Sequence, residues 1–328
     1  MKHSLLHNIH TELGASFEET AGWNIPAHYG DIASEHRAVR QAVGIADLSH
    51  RGKIKVTGDD RVKWLQSLLS NDILSLKPGQ GLYSSLLTHK GKMLTYFRLY
   101  LQSDAVMVED AGEIGETTFQ ALRKFLLYGT KAKMENGAES WGLLLVSGPK
   151  ATQVIQSAFG VDVASLKPVN FVTAQIGGTQ ALVIRTEETG ETDIEILLPI
   201  AGLSTAWSAV REAGAKFGIK PIGAHALEAL RMEAGIPKAG PDLNEEIVQP
   251  EAGLEVKAFS LSKGCYPGQE VVARMDTYGS VRRQLVDLRP SMQAALAQSA
   301  FSARELEGLG YAPVDVLHAG NFSLGYFH

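Results

Sequence analysis

Residues 262–270 read SKGCYPGQE and contain Cys265, the single cysteine of this 328-residue chain. A thiolate is both a nucleophile and a soft-metal ligand, and nearby cations lower the pKa of the thiol. Lys263 lies two residues before Cys265 and Arg274 nine after it. Gly264 and Gly268 permit positive φ and the close approach of a partner. The commoner fate of a lone cysteine is to be buried and inert. Here Tyr266 and Pro267 follow it, its other neighbours are polar or turn-forming, and no apolar periodicity surrounds it. A chemical role is therefore expected. Gln269 and Glu270 either orient the loop or the thiol, or simply begin a helix. One cysteine excludes an internal disulfide, a Cys₄ or Cys₂His₂ zinc site and a four-thiolate iron–sulfur cluster held by this chain alone.

Other chemistry is sparsely signalled. Ten histidines are scattered, and neither His7/His10 nor Glu35/His36 has partner spacing for a metal, so no metal site is expected. His50 and His89, each in a loop near a glycine, are the most pointed. There is no G-x-G-x-x-G after a strand, no phosphate-binding G-x-x-x-x-G-K-[ST] and no H-E-x-x-H, so nucleotide binding and zinc hydrolysis lack support. Lys plus Arg number 31 and Asp plus Glu 36, a net charge of −5. That balance argues against nucleic acid as a direct partner, although Lys263, Arg274, Arg282, Arg283 and Arg289 form a local basic run. The N-terminus MKHSLLHNIHTEL does not read as a signal peptide, and no apolar run is long enough to span a membrane. The scarcity of cysteine suits a reducing compartment, and a cytoplasmic address is expected.

These residues must be carried by a mixed α+β scaffold. Residues 31–43 read as a helix. Residues 52–57, GKIKVT, alternate like a half-buried strand. Gly58 turns the chain, Asp59 or Asp60 can cap, and RVKWLQSLL continues as a helix. Residues 92–101 and 105–109 read as strands, and 114–128 as a helix. WGLLLVSG followed by PKATQVIQSAF repeats the strand–glycine–helix plan. The spacing V-T-G-(x6)-L-Q-S at 56–67 recurs as V-S-G-(x6)-I-Q-S at 146–157, a weak duplication or a coincidence of two similar units. A hairpin at 181–186 and 192–198 and helices at 203–214 and 223–234 follow. From Pro237 the chain is irregular up to the cysteine motif.

Residues 22–58 (GWNIPAHYGDIASEHRAVRQAVGIADLSHRGKIKVTG), 71–94 and 227–254 resemble the glycine-cleavage T-protein, or aminomethyltransferase, superfamily over roughly residues 20–285. KGCYPGQE (263–270) is similar to the signature of its YgfZ branch, folate-binding proteins implicated in iron–sulfur cluster assembly or repair and linked to tRNA modification. The resemblance implies a three-domain cloverleaf of antiparallel sheets with helices. It implies a discontinuous folate-binding domain from 1–50 and 140–240, an inserted α+β domain at 51–139, a linker with the motif at 241–280, and a short C-terminal β-barrel at 281–328, either complete or truncated. Residues 290–310 read as helical or irregular where that barrel would be strand-rich.

By the same resemblance the ligand is tetrahydrofolate or a derivative. Glu195 aligns with the pterin-binding glutamate, Arg231 with a folate-contacting arginine, and Tyr83 walls the ring. A carboxylate suits the pterin's paired N–H and amine, and a cation suits the glutamate tail. On the residues alone, Glu195 reads as surface-facing, sharing a strand face with Asp193 and Leu197. Arg231 equally reads as pairing with Glu228 at i, i+3, and Tyr83 as a core residue. Two departures stand out. GKMLTYFRLY carries Thr95 and Tyr96 where the enzyme's run has two acids, and Glu188 replaces a tyrosine of the pterin site. Neutral Thr and Tyr cannot take up a proton at pH 7. The expectation is a folate-binding protein supporting iron–sulfur client or assembly proteins, with Lys263, Gly264, Cys265, Tyr266, Gly268, Gln269 and Glu270 as its reactive loop. It is not expected to be an active aminomethyltransferase; the alternative is a tetrahydrofolate-dependent aminomethyltransferase using another acid.

Overall fold

The computed structural model describes residues 1–110, 114–254, 257–278, 284–288, 313–319 and 322–327. Two sheets dominate it. The first has six strands in the order Phe171–Ile176, Thr179–Thr186, Asp193–Pro199, Trp141–Ser147, Gly44–Asp47, Lys220–Pro221. The second has five, all antiparallel, in the order Gly81–Leu87, Met93–Leu101, Ala105–Asp110, Gly52–Thr57, Lys133–Asn136. The first is antiparallel except at its short last strand, which runs parallel to Gly44–Asp47.

The two faces of the six-stranded sheet are covered differently, and this decides where the site lies. Side chains alternate along a strand. Ile194, Ile196 and Leu198 share a core with Val154, Trp207 and Val210 from the helices Ala151–Phe159 and Leu203–Gly214. Leu145, Leu182 and Leu197, on the other face, share a core with Tyr100 and Met107 of the five-stranded sheet. The Arg98 to Leu101 stretch pairs with Val106 to Glu109. Its even residues therefore meet the first sheet, while Phe97, Leu99, Val106 and Val108 pack with Trp64 and Leu65 of helix Arg61–Leu68.

The paired V-x-G spacing has a structural counterpart. Gly52–Thr57 and Trp141–Ser147 each run through a positive-φ glycine into a helix, with Gly58 at +96° and Gly148 at +128°. A Cβ at Gly58 would lie 2.3 Å from the Lys131 carbonyl oxygen, and one at Gly148 2.7 Å from those of Val39 and Ala42. Both turns thus need glycine for space as well as for conformation. Asp60 does not cap the helix with its side chain; its carboxylate accepts from the Lys131 backbone N–H at 2.8 Å. The half-buried reading of GKIKVT is also corrected. Lys53 is fully buried and donates to the Ser49 carbonyl at 2.5 Å, because it stands beside Glu109 on the face that the six-stranded sheet covers.

Towards the C-terminus, Gln284–Leu288, Phe322–Phe327 and Pro313–Ala319 form a three-stranded antiparallel sheet. The α+β class with antiparallel sheets and helices is as expected. Residues 290–310, and the basic positions Arg282, Arg283 and Arg289, lie outside the described residues. Among the described residues no helix is long and apolar enough to cross a membrane.

Candidate functional site

Five charged side chains converge where the two sheets face each other. Arg98 Nη2 meets Glu195 Oε1 at 2.8 Å and Glu109 Oε2 at 2.5 Å, and Arg98 Nη1 meets Glu188 Oε1 at 2.9 Å. Arg51 Nη2 donates to Glu188 Oε2 at 3.0 Å, and its Nη1 stands 3.7–3.8 Å from Glu195 and Glu109. Glu195 is 0% exposed, so the surface-facing reading of its strand fails: the five-stranded sheet covers that face. Asp193, on the same face, accepts the backbone N–H groups of Glu188 and Thr189, which shapes the 186–193 turn and places Glu188.

The cluster splits its carboxylates electrostatically. Burial pushes Glu195 up to about 8; Arg98 opposes this, and the like charges of Glu109 and Glu188 reinforce it. Burial would also raise Glu188, but Arg51 and Arg98 outweigh it and hold that carboxyl below its usual range. The environment thus favours the anion at Glu188 and the protonated form at Glu195.

Arg51 and Glu188 line a cavity of about 180 Å³ together with Asp47, His50, Glu228 and Arg231. Glu195 takes no part in its wall. Arg51 Nε is buried without a hydrogen-bond partner. Arg231 lines the cavity while paired with Glu228 at 2.6 Å and Asp242 at 2.7 Å, and it also donates to the Ile236 carbonyl at 2.5 Å. The pairing with Glu228 is the one the residues alone suggest, and the same side chain reaches the cavity wall. Its pairing uses four of the five guanidinium donors. Asp47 is held by His10 at 3.1 Å and by Ser4 and Ser49. Burial alone would raise Asp47; those bonds outweigh it and hold the carboxyl at about 2.

Tyr83 does not line this cavity. Its ring stacks on Tyr96, centroids 5.7 Å apart and 9° from parallel. Tyr96 is 6% exposed and belongs to an apolar cluster with Met93, Phe259 and Tyr266. Burial raises its hydroxyl well above the ordinary tyrosine range, so it stays neutral. Thr95 beside it is also buried.

The cysteine loop is built against that cluster. Cys265 is exposed. Gly268 has φ +80°, and a Cβ there would lie 2.5 Å from the Thr88 carbonyl oxygen. Gly264 has ordinary backbone conformation and open space around it, so the permissive φ expected of both glycines is used by one. Lys263 does not point its charge at the thiol loop alone: its ammonium donates to the carbonyls of Gln66, at 2.5 Å, and of Leu69, closing the C-terminal end of helix Arg61–Leu68. Arg274 pairs with Glu270 at 2.8 Å on the exposed face of helix Gln269–Tyr278. Gln269 and Glu270 thus begin a helix. Tyr266 and Val272 are buried in the apolar cluster, so the loop is anchored by apolar contacts the sequence pattern did not reveal. His89 is exposed and away from the cavity. Among the described residues no group of three or more His, Cys, Asp or Glu is placed to hold a metal.

Arg51, Arg98 and Glu109 were not singled out by sequence. The available signal was Arg98 itself, a charge inside the apolar run MLTYFRLYL. A buried arginine in a central strand requires carboxylate partners, and Glu109 is its cross-strand neighbour.

Two packed sheets around a buried Arg–Glu cluster, with two smaller three-stranded sheets, one of Lys2–His3, Trp23–His28 and Ser16–Thr20 and one near the C-terminus, define the class. The GCVT N-terminal domain family matches residues 6–260, and the chain belongs to that aminomethyltransferase family. The aminomethyltransferase of Caldanaerobacter subterraneus subsp. tengcongensis is 34% identical over 289 residues, 87% of this chain and 76% of that protein. The aminomethyltransferase of Bacillus subtilis is 31% identical over 291 residues, 88% and 79% of the two chains. In structure the chain is similar to the glycine cleavage system aminomethyltransferase T from Bartonella henselae, with a TM-score of 0.83 and 25% identity over 99% of this chain and 90% of that one.

Proposed function

We propose that this chain is a folate-binding member of its family that has given up aminomethyl transfer, with Cys265 acting in a transient intermolecular step for iron–sulfur client or assembly proteins. In this reading segments 1–50 and 140–240 are the folate-binding unit, 51–139 the inserted one, 241–280 the linker and 281–328 the short terminal barrel, of which only 284–288, 313–319 and 322–327 are described. The observation that carries this reading is Tyr96. Where the resemblance places an acid, the chain has a neutral, buried ring stacked on Tyr83. Such a group cannot stabilise cationic character as a one-carbon unit moves.

The cavity supports a reduced folate. A cavity of about 150 Å³ is enough for benzene, so about 180 Å³ suits a small ring system, with the tail running outward. Glu188, Arg51 and the remaining donor of Arg231 supply polar contacts at its wall. The iron–sulfur role, and its link to tRNA modification, rests on the likeness of KGCYPGQE to the YgfZ signature and on the exposure of Cys265.

A second reading, a tetrahydrofolate-dependent aminomethyltransferase, is favoured by the names of the relatives, which match more than four-fifths of this chain. The acid in that case would be Glu195, protonated near neutral pH. Purified protein is assayed with tetrahydrofolate and an aminomethyl donor. Turnover lost in Glu195→Gln establishes the second reading; saturable folate binding without turnover supports the first. Full complementation of a deletion strain by Cys265→Ser would remove the cysteine step.

A further inference from the structure

We propose that Glu188, not Glu195, is the carboxylate that reads the ligand's ring in this chain, by accepting an N–H and an adjacent amino group. This rests on the folate reading above and assigns the ring contact within it.

The argument begins with access. Glu188 lines the cavity; Glu195 is fully buried and absent from its wall. It continues with acceptor capacity. A carboxylate offers about four lone-pair sites, two on each oxygen. Glu188 Oε2 takes one hydrogen bond from Arg51 and Oε1 meets Arg98. Each oxygen therefore keeps acceptor capacity, and a carboxylate with both oxygens available can take a planar N–H/NH₂ pair. Glu195 has one oxygen taken by Arg98, and its Oε2 is buried with no partner. Glu195 as a whole is 0% exposed, so that oxygen is not open to a ligand in the cavity.

Arg98 explains the exchange. It stands in the strand Met93–Leu101 with its guanidinium inserted between Glu109, Glu188 and Glu195. Its charge and that of Arg51 favour the anionic form of Glu188, the one of the three carboxyls that lines the cavity. Arg98 is then a positioning residue: it orients Glu188 without touching the ligand.

The test uses the full-length protein with three probes: tetrahydrofolate, 6-methyltetrahydropterin as the ring alone, and p-aminobenzoyl-glutamate as the tail alone. Glu188→Gln is expected to weaken both ring-containing probes about tenfold or more, the loss of a charge-assisted hydrogen-bond pair. It should leave the tail probe within about twofold. Glu195→Gln is expected to leave all three within about threefold. A tenfold loss in Glu195→Gln, or equal ring losses in both variants, would overturn the assignment. If Glu188→Gln does not fold, Glu188→Asp, which keeps the charge facing Arg51 and Arg98 but withdraws it from the cavity, is read by the same criteria. If the wild type binds neither tetrahydrofolate nor the pterin, the folate reading itself falls, and this assignment with it.

Discussion

Arg98 and Glu195 meet at 2.8 Å, one from each of the two facing sheets, and neither is more than 1% exposed. The contact joins the sheets and occupies one oxygen of the Glu195 carboxyl. Arg98 also pairs with Glu109 and Glu188, and removing one partner of a buried ion pair leaves the other uncompensated, which costs about 3–5 kcal/mol. Arg98→Met is therefore expected to lower the free energy of unfolding by about that amount in urea titration. A change below about 1 kcal/mol would mean the cluster is held by its surroundings rather than by Arg98.

The raised Glu195 has a definite pH signature. Its folded value of about 8 lies above its ordinary 4.5. Between those values the folded state holds a proton that the unfolded state releases, so this group makes stability fall as pH rises from about 4.5 to 8. Glu195→Gln cannot titrate. The melting temperature of the wild type is expected to decline relative to Glu195→Gln across that window and to run parallel to it above pH 9. Parallel curves throughout would show that Glu195 is ionised in the fold.

Tyr96 packs in an apolar cluster. Tyr96→Phe keeps the ring and its stacking on Tyr83, and should change stability by less than about 1.5 kcal/mol. Tyr96→Asp, which brings back an acid, places a charge among Met93, Phe259 and Tyr266. It should cost several times more, and its carboxyl should titrate well above the usual aspartate range. Restored turnover in a stable Tyr96→Asp protein would instead show that the site has kept the rest of its machinery.

The two motif glycines separate cleanly. Gly268→Ala meets both a positive φ and the Thr88 carbonyl at 2.5 Å, so it should destabilise the loop by more than about 1 kcal/mol. Gly264→Ala should be within about 0.5 kcal/mol. Cys265 is exposed in both, and one maleimide should attach per chain without denaturant.

Lys263 closes the end of a helix. Lys263→Met removes charge-assisted hydrogen bonds to the carbonyls of Gln66 and Leu69. Each such bond contributes about 1.5–3 kcal/mol, less the burial penalty that lowers this ammonium to about 8. A net loss of about 1–3 kcal/mol in chemical denaturation is expected; stabilisation would show that the burial penalty dominates.

Much of the scaffold was legible because its elements carry strong apolar patterns: the apolar runs Met93–Leu101 and Trp141–Ser147 and the helical spacing of Leu203–Gly214 fall where the pattern puts them. The site was legible only in outline. Glu195 reads as exposed because alternation along a strand says which residues share a face, and cannot say that a second sheet covers it. Arg51, Arg98 and Glu109 come from separate strands and form a cluster only when the sheets pack. Lys263 could be seen beside Cys265 in sequence, but the helix end that captures it lies nearly 200 residues earlier in the chain.

Folate binding is tested most directly by calorimetric titration of the purified protein with tetrahydrofolate. Saturable binding at one site per chain, with no product formed on adding an aminomethyl donor, is the expected result. No saturable binding would contradict the folate reading and leave Cys265 and its loop to account for the function; binding accompanied by turnover would make the chain an aminomethyltransferase in activity as well as in family.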